Sequence, residues 1–313
     1  MERYIQTVRG RVPATAIGFT LPHEHTYCEL WRIDCRYDYL GQLTSEDILV
    51  SELSEYSRRG GSCLVDVTVR GIGRNPVGAL RLAERSGLHI VLGTGYYRQP
   101  YYPPDAQIDR RSVESLADEM VREFQEGIDD TGIKVGIIGE IGADKTWVSA
   151  QEERVGRAAA RAQQATGLAI TTHSVLSRVG LEQLKIFLAE GADAERIVIG
   201  HCDWYPDLNY YLEILSTGAS IQFDIFGHLD SYTRGLEPIV LDLVRELLDR
   251  HKEHQILLSQ DVAFIANVKR FGGNGYSYLQ EVIIPKLREL GVPQHLVDIM
   301  TIANPRRLLT VEA

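Results

Sequence analysis

The segment Lys134-Val135-Gly136-Ile137-Ile138-Gly139-Glu140 decides how the chain is read. Five aliphatic or small residues in a row suit a strand covered on both faces, as in a parallel sheet. A carboxylate closes the run, and a charge at the end of a buried strand must be paired, coordinated or solvated. Similar short apolar runs recur over 16–25, 63–68, 89–95, 168–173, 196–201, 219–224 and 255–261. Longer amphipathic segments lie between them. In 113–124, Val113, Leu116, Met120 and Phe124 fall at helical spacing. In 239–248, Ile239, Val240, Leu243, Val244, Leu247 and Leu248 make one broad apolar face. Eight strand–helix units predict an α/β fold, a (β/α)8 TIM barrel forming a single domain over 1–313. A doubly wound open sheet is the rival, because the same alternation feeds it. Pro22 stands inside the first run, where it removes a ladder donor.

Composition narrows the function. The 313 residues carry 33 basic and 43 acidic side chains, a net charge of −10, and 44% are hydrophobic. That balance lacks the basic footprint of a nucleic-acid partner or of docking on an anionic membrane. No apolar run approaches the ~18 residues of a membrane span. Met1-Glu2-Arg3-Tyr4-Ile5-Gln6 lacks the apolar stretch expected of a secretory signal. Cys28, Cys35, Cys63 and Cys202 lack C-x-x-C spacing and read as reduced thiols of a cytoplasmic protein.

Polar residues suited to a metal site end five of the runs: His23 and His25, Glu140, His173, His201 and Asp261. In a barrel these strand ends converge on the face where active sites form. His23-Glu24-His25 has strand period, so both imidazoles share one side and Glu24 turns away. A carboxylate such as Glu140 can bridge two cations, and His173 and His201 look like ligands of a second ion. Asp261 could ligate a metal and take a proton from bound water. Asp66, Asp203 and Asp224 read as partners that orient imidazoles, or as loop caps. His89 begins a strand at the opposite end, and His251, His254 and His295 sit in turns or at a helix start. His228 follows the seventh run and could approach a substrate. Lys145 reads as a surface residue. Gly71-Ile72-Gly73 lacks the third glycine of a dinucleotide fingerprint, and no G-x-S-x-G elbow is present.

The ordered set Gly18-Phe19-Thr20-Leu21-Pro22-His23-Glu24-His25, Gly139-Glu140-Ile141-Gly142, Thr172-His173, Ile199-Gly200-His201 and Ser259-Gln260-Asp261 resembles the phosphotriesterase family of the amidohydrolase superfamily. Asn304-Pro305-Arg306-Arg307-Leu308 resembles its closing helix. The resemblance implies a (β/α)8 barrel with two divalent ions, usually zinc, with manganese, cobalt or iron also suited to such ligands. His23, His25 and Asp261 would hold the buried ion, and His173 and His201 the more exposed one. Glu140 stands where the best-known members bridge with a carboxylated lysine, so the chain resembles the glutamate-bridged branch. Members of that branch include lactonases of phosphorylated sugars, carboxylic esterases and N-acyl-taurine hydrolases. The implied activity is hydrolysis of a carboxylic ester or lactone by a metal-bridging hydroxide, with Asp261 accepting its proton. An N-acyl amide hydrolase, a phosphotriesterase and a non-catalytic metal-binding barrel are the alternatives. A small, anionic substrate would meet Tyr96, Tyr97 and Arg98 after the third run. Lys269, Arg270 and Tyr276, after the eighth, are the expected phosphate-binding group. Dimers are a habit of the family, so a homodimer is the implied assembly.

Overall fold

The computed structural model describes residues 3–30, 42–143, 146–229 and 233–312. Cys35 and Lys145 lie outside the described residues, while Cys28, Cys63 and Cys202 are buried free thiols. Eight parallel strands follow one another in chain order around a single sheet. They are β1 (Phe19–Glu24), β2 (Gly61–Asp66), β3 (His89–Thr94), β4 (Ile137–Ala143), β5 (Ile170–Ser174), β6 (Ile197–Ile199), β7 (Ser220–Phe223) and β8 (Ile256–Leu258). The helices between and after them are α1 (Glu46–Arg58), α2 (Pro76–Ser86), α3 (Val113–Gln125), α4 (Ala150–Thr166), α5 (Val179–Ala189), α6 (Leu208–Leu215), α7 (Thr233–Asp249), α8 (Ile284–Glu289), α9 (Gln294–Asp298) and α10 (Asn304–Leu309). The order is that of a nearly closed (β/α)8 barrel, not of an open sheet wound in two directions.

Local chemistry sets the element ends. Asn75 caps α2 through the Gly78 N–H, and Gly87 ends it at φ 77°. Ser149 and Glu152 close a capping box on α4. The expected helix over 113–124 is α3, and 239–248 lies inside α7, although Ile239 is 48% exposed rather than part of the buried face. Pro22 is accommodated because the β1–β2 register shifts between Leu21 and Glu24, so no regular ladder needs its missing N–H.

The barrel floor is filled by Ile5, Ile17, Val65, Val91, Ile137, Val198, Leu257 and Leu308. Beneath it lies a three-stranded antiparallel sheet of Thr310–Glu312, Arg3–Thr7 and Gly10–Pro13, which the sequence reading did not anticipate. The Val8 N–H donates to Ile90 O at 2.9 Å, tying this sheet to the start of β3. With the floor plugged, the opposite rim is where polar groups can meet. No helix among the described residues is long and apolar enough to cross a membrane.

Candidate metal centre

A bulge aims the central carboxylate. The β4–β5 register shifts between Ile138 and Ile141, and Gly139 takes φ 116° with no room for a Cβ, which would lie 2.2 Å from Thr171 O. Only glycine fits there. Glu140 then turns into the barrel mouth, where it is 2% exposed. Its Oε1 is 3.4 Å from His25 Nε2. Its Oε2 is 3.4 Å from His23 Nε2, 3.2 Å from His173 Nδ1 and 3.7 Å from His201 Nε2. Two groups with ligand atoms within 4.8 Å of one another result: His23, His25 and Glu140, and Glu140, His173 and His201. Asp261 adds Oδ1 to the first, 3.2 Å from His25 Nε2 and 3.9 Å from His23 Nε2. All six expected ligands therefore converge, with Glu140 between the two sets.

The donor set fits a pair of cations. His23 is wholly buried, yet neither ring nitrogen has a hydrogen-bond partner, and Asp261 Oδ1 is likewise unpartnered. Such atoms are costly to bury unless something else satisfies them. Imidazole nitrogens and carboxylate oxygens in this number suit zinc and its neighbours in the first transition row.

Electrostatics fit as well. Burial would raise the Glu140 carboxyl, but the imidazoles of His173, His201 and His23 close to it hold it well below the usual range. Asp261 is lowered too, because His25, His201 and His23 outweigh its burial. Burial opposes charge on His25, yet Asp261 and Glu140 push its pKa up to about 9. Burial and the neighbouring His201 drop His173 to about 3. Two ionised carboxylates thus face four imidazoles in a site closed to bulk water.

His201 and His25 are each oriented by a neighbouring group, and His23 Nδ1 lies 3.4 Å from Asp224 Oδ2. Asp224 Oδ1 lies 2.6 Å from His201 Nδ1 and accepts the His201 N–H at 3.1 Å. Gln222 Nε2 donates to Asp224 Oδ2 at 2.8 Å. Asp224 also stands within ligand distance of His23 and His201, but these bonds occupy its oxygens. It therefore orients an imidazole, as expected. Asp66 does so indirectly: it accepts the Thr68 N–H at 3.0 Å, and Thr68 Oγ1 is 2.8 Å from His25 Nδ1. Asp203 caps a loop, accepting the Ile225 N–H at 2.8 Å. His228 spends its Nε2–H on the carbonyls of Gln260 and Asp261, at 2.9 and 3.0 Å. His89 is at the far end of β3, as read. Sequence reasoning missed Thr68 and Trp204, whose indole lies 5.8 Å from the His201 ring at 25°. Asp66-Val67-Thr68 has the same i, i+2 spacing as the two histidines and carried a usable signal, whereas Trp204 had none.

The expected substrate residues divide. The Tyr97 hydroxyl is 3.1 Å from His173 Nε2, and the Arg98 guanidinium lies over the Tyr97 and Tyr101 rings at 4.9 and 5.0 Å. Tyr96 instead donates to Glu119, 2.7 Å away, in a cluster with Arg70 and Arg111. The loop after β8 does not present the expected anion pocket. Lys269 Nζ is drawn away by Glu55 and Glu281, at 2.7 and 2.6 Å. Tyr276 is buried and donates to His25 O at 2.6 Å. Arg270 is exposed, and its N–H donates to Glu52 at 3.3 Å. A cavity of about 270 Å³ beside His228 is lined by Asp203, Phe226, Glu237, Asn274 and Tyr278 among others.

Known proteins resemble this chain over most of its length. The phosphotriesterase homology protein of Escherichia coli is 37% identical over 92% of this chain and 96% of its own. Its crystal structure, with phosphate in the active site, superposes with a TM-score of 0.89 over 94% of this chain and 99% of that one. The N-acetyltaurine hydrolase of Dictyostelium discoideum is 35% identical over 86% of this chain and 75% of its own. A lactonase from Listeria monocytogenes, at 25% identity, has a TM-score of 0.89 over 99% of this chain and 100% of its own. The Phosphotriesterase family profile matches residues 3–309, and the chain belongs to that family.

Proposed function

We propose that the protein hydrolyses a carboxylic ester or lactone at a centre where His23, His25, Glu140, His173, His201 and Asp261 hold two divalent ions. The observation that carries this reading is Glu140, whose Oε1 faces His25 and whose Oε2 lies among His23, His173 and His201, so that one carboxylate touches both groups of imidazoles. Two such ions, zinc foremost, would supply a nucleophilic water near neutral pH and a Lewis acid for a carbonyl. The chain does the rest. Asp261, with an unpartnered Oδ1 at the rim, accepts the proton of the attacking water and passes it to the leaving atom. Tyr97, beside His173, faces the substrate carbonyl and keeps bulk water out. Arg98, stacked on two tyrosines, offers a cation to a carboxylate or sulfonate at the far end of the substrate. The engagement of Lys269 and Tyr276 argues for a substrate without a phosphate. The substrate is a small molecule.

The second reading, amide hydrolysis of an N-acyl sulfonate, is favoured by the relative named N-acetyltaurine hydrolase. One panel separates the two: lactones with and without phosphate, 4-nitrophenyl acetate, N-acetyltaurine and a phosphotriester, assayed alongside elemental analysis of the purified protein. Two ions per chain and fastest turnover of an unphosphorylated lactone or ester support the first reading. N-acetyltaurine as the best substrate supports the second, and bound metal without any turnover overturns both. Asp261→Asn should lower turnover by about 10²–10⁴-fold while circular dichroism stays unchanged.

A further inference from the structure

Glu24 is the residue that the metal centre leaves unexplained. It stands between two expected ligands, is wholly buried, and turns to Ser259, Gln260 and Val262 rather than to the imidazoles. Around the barrel, each strand from β1 to β8 is joined to the next by a parallel backbone ladder. Among the described residues no such ladder joins β8 back to β1. The seam is bridged mostly by side chains, together with a backbone bond from Asp261 to His23. The Ser259 hydroxyl accepts the His23 N–H at 3.0 Å and lies 2.7 Å from Glu24 Oε1. Glu24 Oε1 also accepts the Gln260 N–H, and Oε2 accepts the Val262 N–H, both at 2.8 Å. These two backbone donors flank Asp261, whose own N–H goes to His23 O at 3.2 Å. Asp261 itself takes φ 48°, a conformation that L side chains rarely adopt.

We propose that Glu24 is a positioning residue for Asp261: its carboxylate grips the peptides on either side and holds Asp261 in the left-handed conformation that turns its Oδ1 toward His25. The proposal rests on the role assigned to Asp261 above. It gives His23-Glu24-His25 a division of labour, in which the outer two residues face the ions and the middle one clamps a strand end that a ladder does not reach. A carboxylate is needed because every group facing it is a donor. Glutamine would set its own NH₂ against one of them, and aspartate is one methylene too short to span both.

The test compares Glu24→Gln, Ser259→Ala, Asp261→Asn and Glu24→Gln/Asp261→Asn in the full chain. Each metal-free protein is titrated with Co²⁺ and followed by its visible absorption, and kcat and KM are measured on the best substrate of the panel. Glu24→Gln should lower kcat about 10–100-fold, the usual cost of losing a group that orients a metal ligand. KM should stay within about twofold, and the cobalt spectrum should change. The double variant should be no slower than Asp261→Asn alone, because both act through one side chain. Ser259→Ala, which keeps both backbone donors, should shift kcat and spectrum in the same direction by less. It carries the test if Glu24→Gln does not fold. A wild-type spectrum and kcat in whichever of these folds overturns the proposal, as do losses that multiply in the Asp261→Asn background. Wild-type turnover by Asp261→Asn overturns the role of Asp261 and this proposal together. A crippled Asp261→Asn beside an unaffected Glu24→Gln overturns only the role of Glu24.

Discussion

The two halves of the candidate centre are built differently. Glu140 and His173 lie on β4 and β5, where Gly142 pairs with His173 in the ladder and Glu140 stands in the bulge between Ile138 and Ile141. Their positions follow from backbone geometry, and only His201, beyond the end of β6 at φ 54°, needs a side chain, Asp224, to hold it. His23, His25 and Asp261 lie across the β1–β8 seam, where a serine hydroxyl and a carboxylate replace the ladder. Ligands set by a ladder inherit the precision of the sheet. Ligands set across a seam depend on particular side chains one to three residues away, so substitutions that touch no ion should matter more on that side.

Glu140 belongs to both halves, so its loss should abolish the contrast. Glu140→Ala is expected to leave one ion or none per chain by elemental analysis and to lower turnover by about 10³-fold or more. Retention of two ions would break the reading of Glu140 as the shared ligand. Both halves should lose affinity as pH falls. His25 on the seam side, with its pKa pushed up to about 9, keeps its proton below that value; on the ladder side Asp224 outweighs burial and holds His201 well above the usual imidazole range, whereas His173, at about 3, is already neutral. A protonated imidazole cannot ligate, so affinity on the seam side is full above pH 9 and falls as pH drops through that value. Between pH 9 and 7 the loss should be about 100-fold for one displaced proton, read by titrating the metal-free protein with zinc at several pH values. Equal affinity across that range would break the assignment. Asp224→Asn tests the exception on the ladder side. It removes a negative charge from behind His201 and should weaken metal binding about 10–100-fold, measured by competition with a chelator.

Much of this was readable before any coordinates. The strand ends were legible because buried parallel strands are apolar throughout, so Glu140, His173, His201 and Asp261 stand out where each run stops. The i, i+2 spacing of His23 and His25 announced a shared side. The floor sheet was not legible, since Arg3–Thr7 and Thr310–Glu312 pair across nearly the whole chain and neither carries a turn or period to betray the other. The loop after β8 misled for a related reason. Lys269, Arg270 and Tyr276 have the chemistry of a phosphate site, but Lys269 is claimed by Glu55, 214 residues earlier, and Tyr276 by a main-chain oxygen. Residue type is written locally; the direction of a long side chain is decided by whatever the fold brings beside it.

The indole of Trp204, lying almost parallel to the His201 ring, gives the centre a built-in optical reporter. Emission from that ring should dim when a paramagnetic cation such as Co²⁺ settles on the neighbouring imidazole, and should remain bright with diamagnetic Zn²⁺. Replacing Trp204 with phenylalanine should erase the difference, so loading of the ladder-side position can be followed by fluorescence alone, without a substrate.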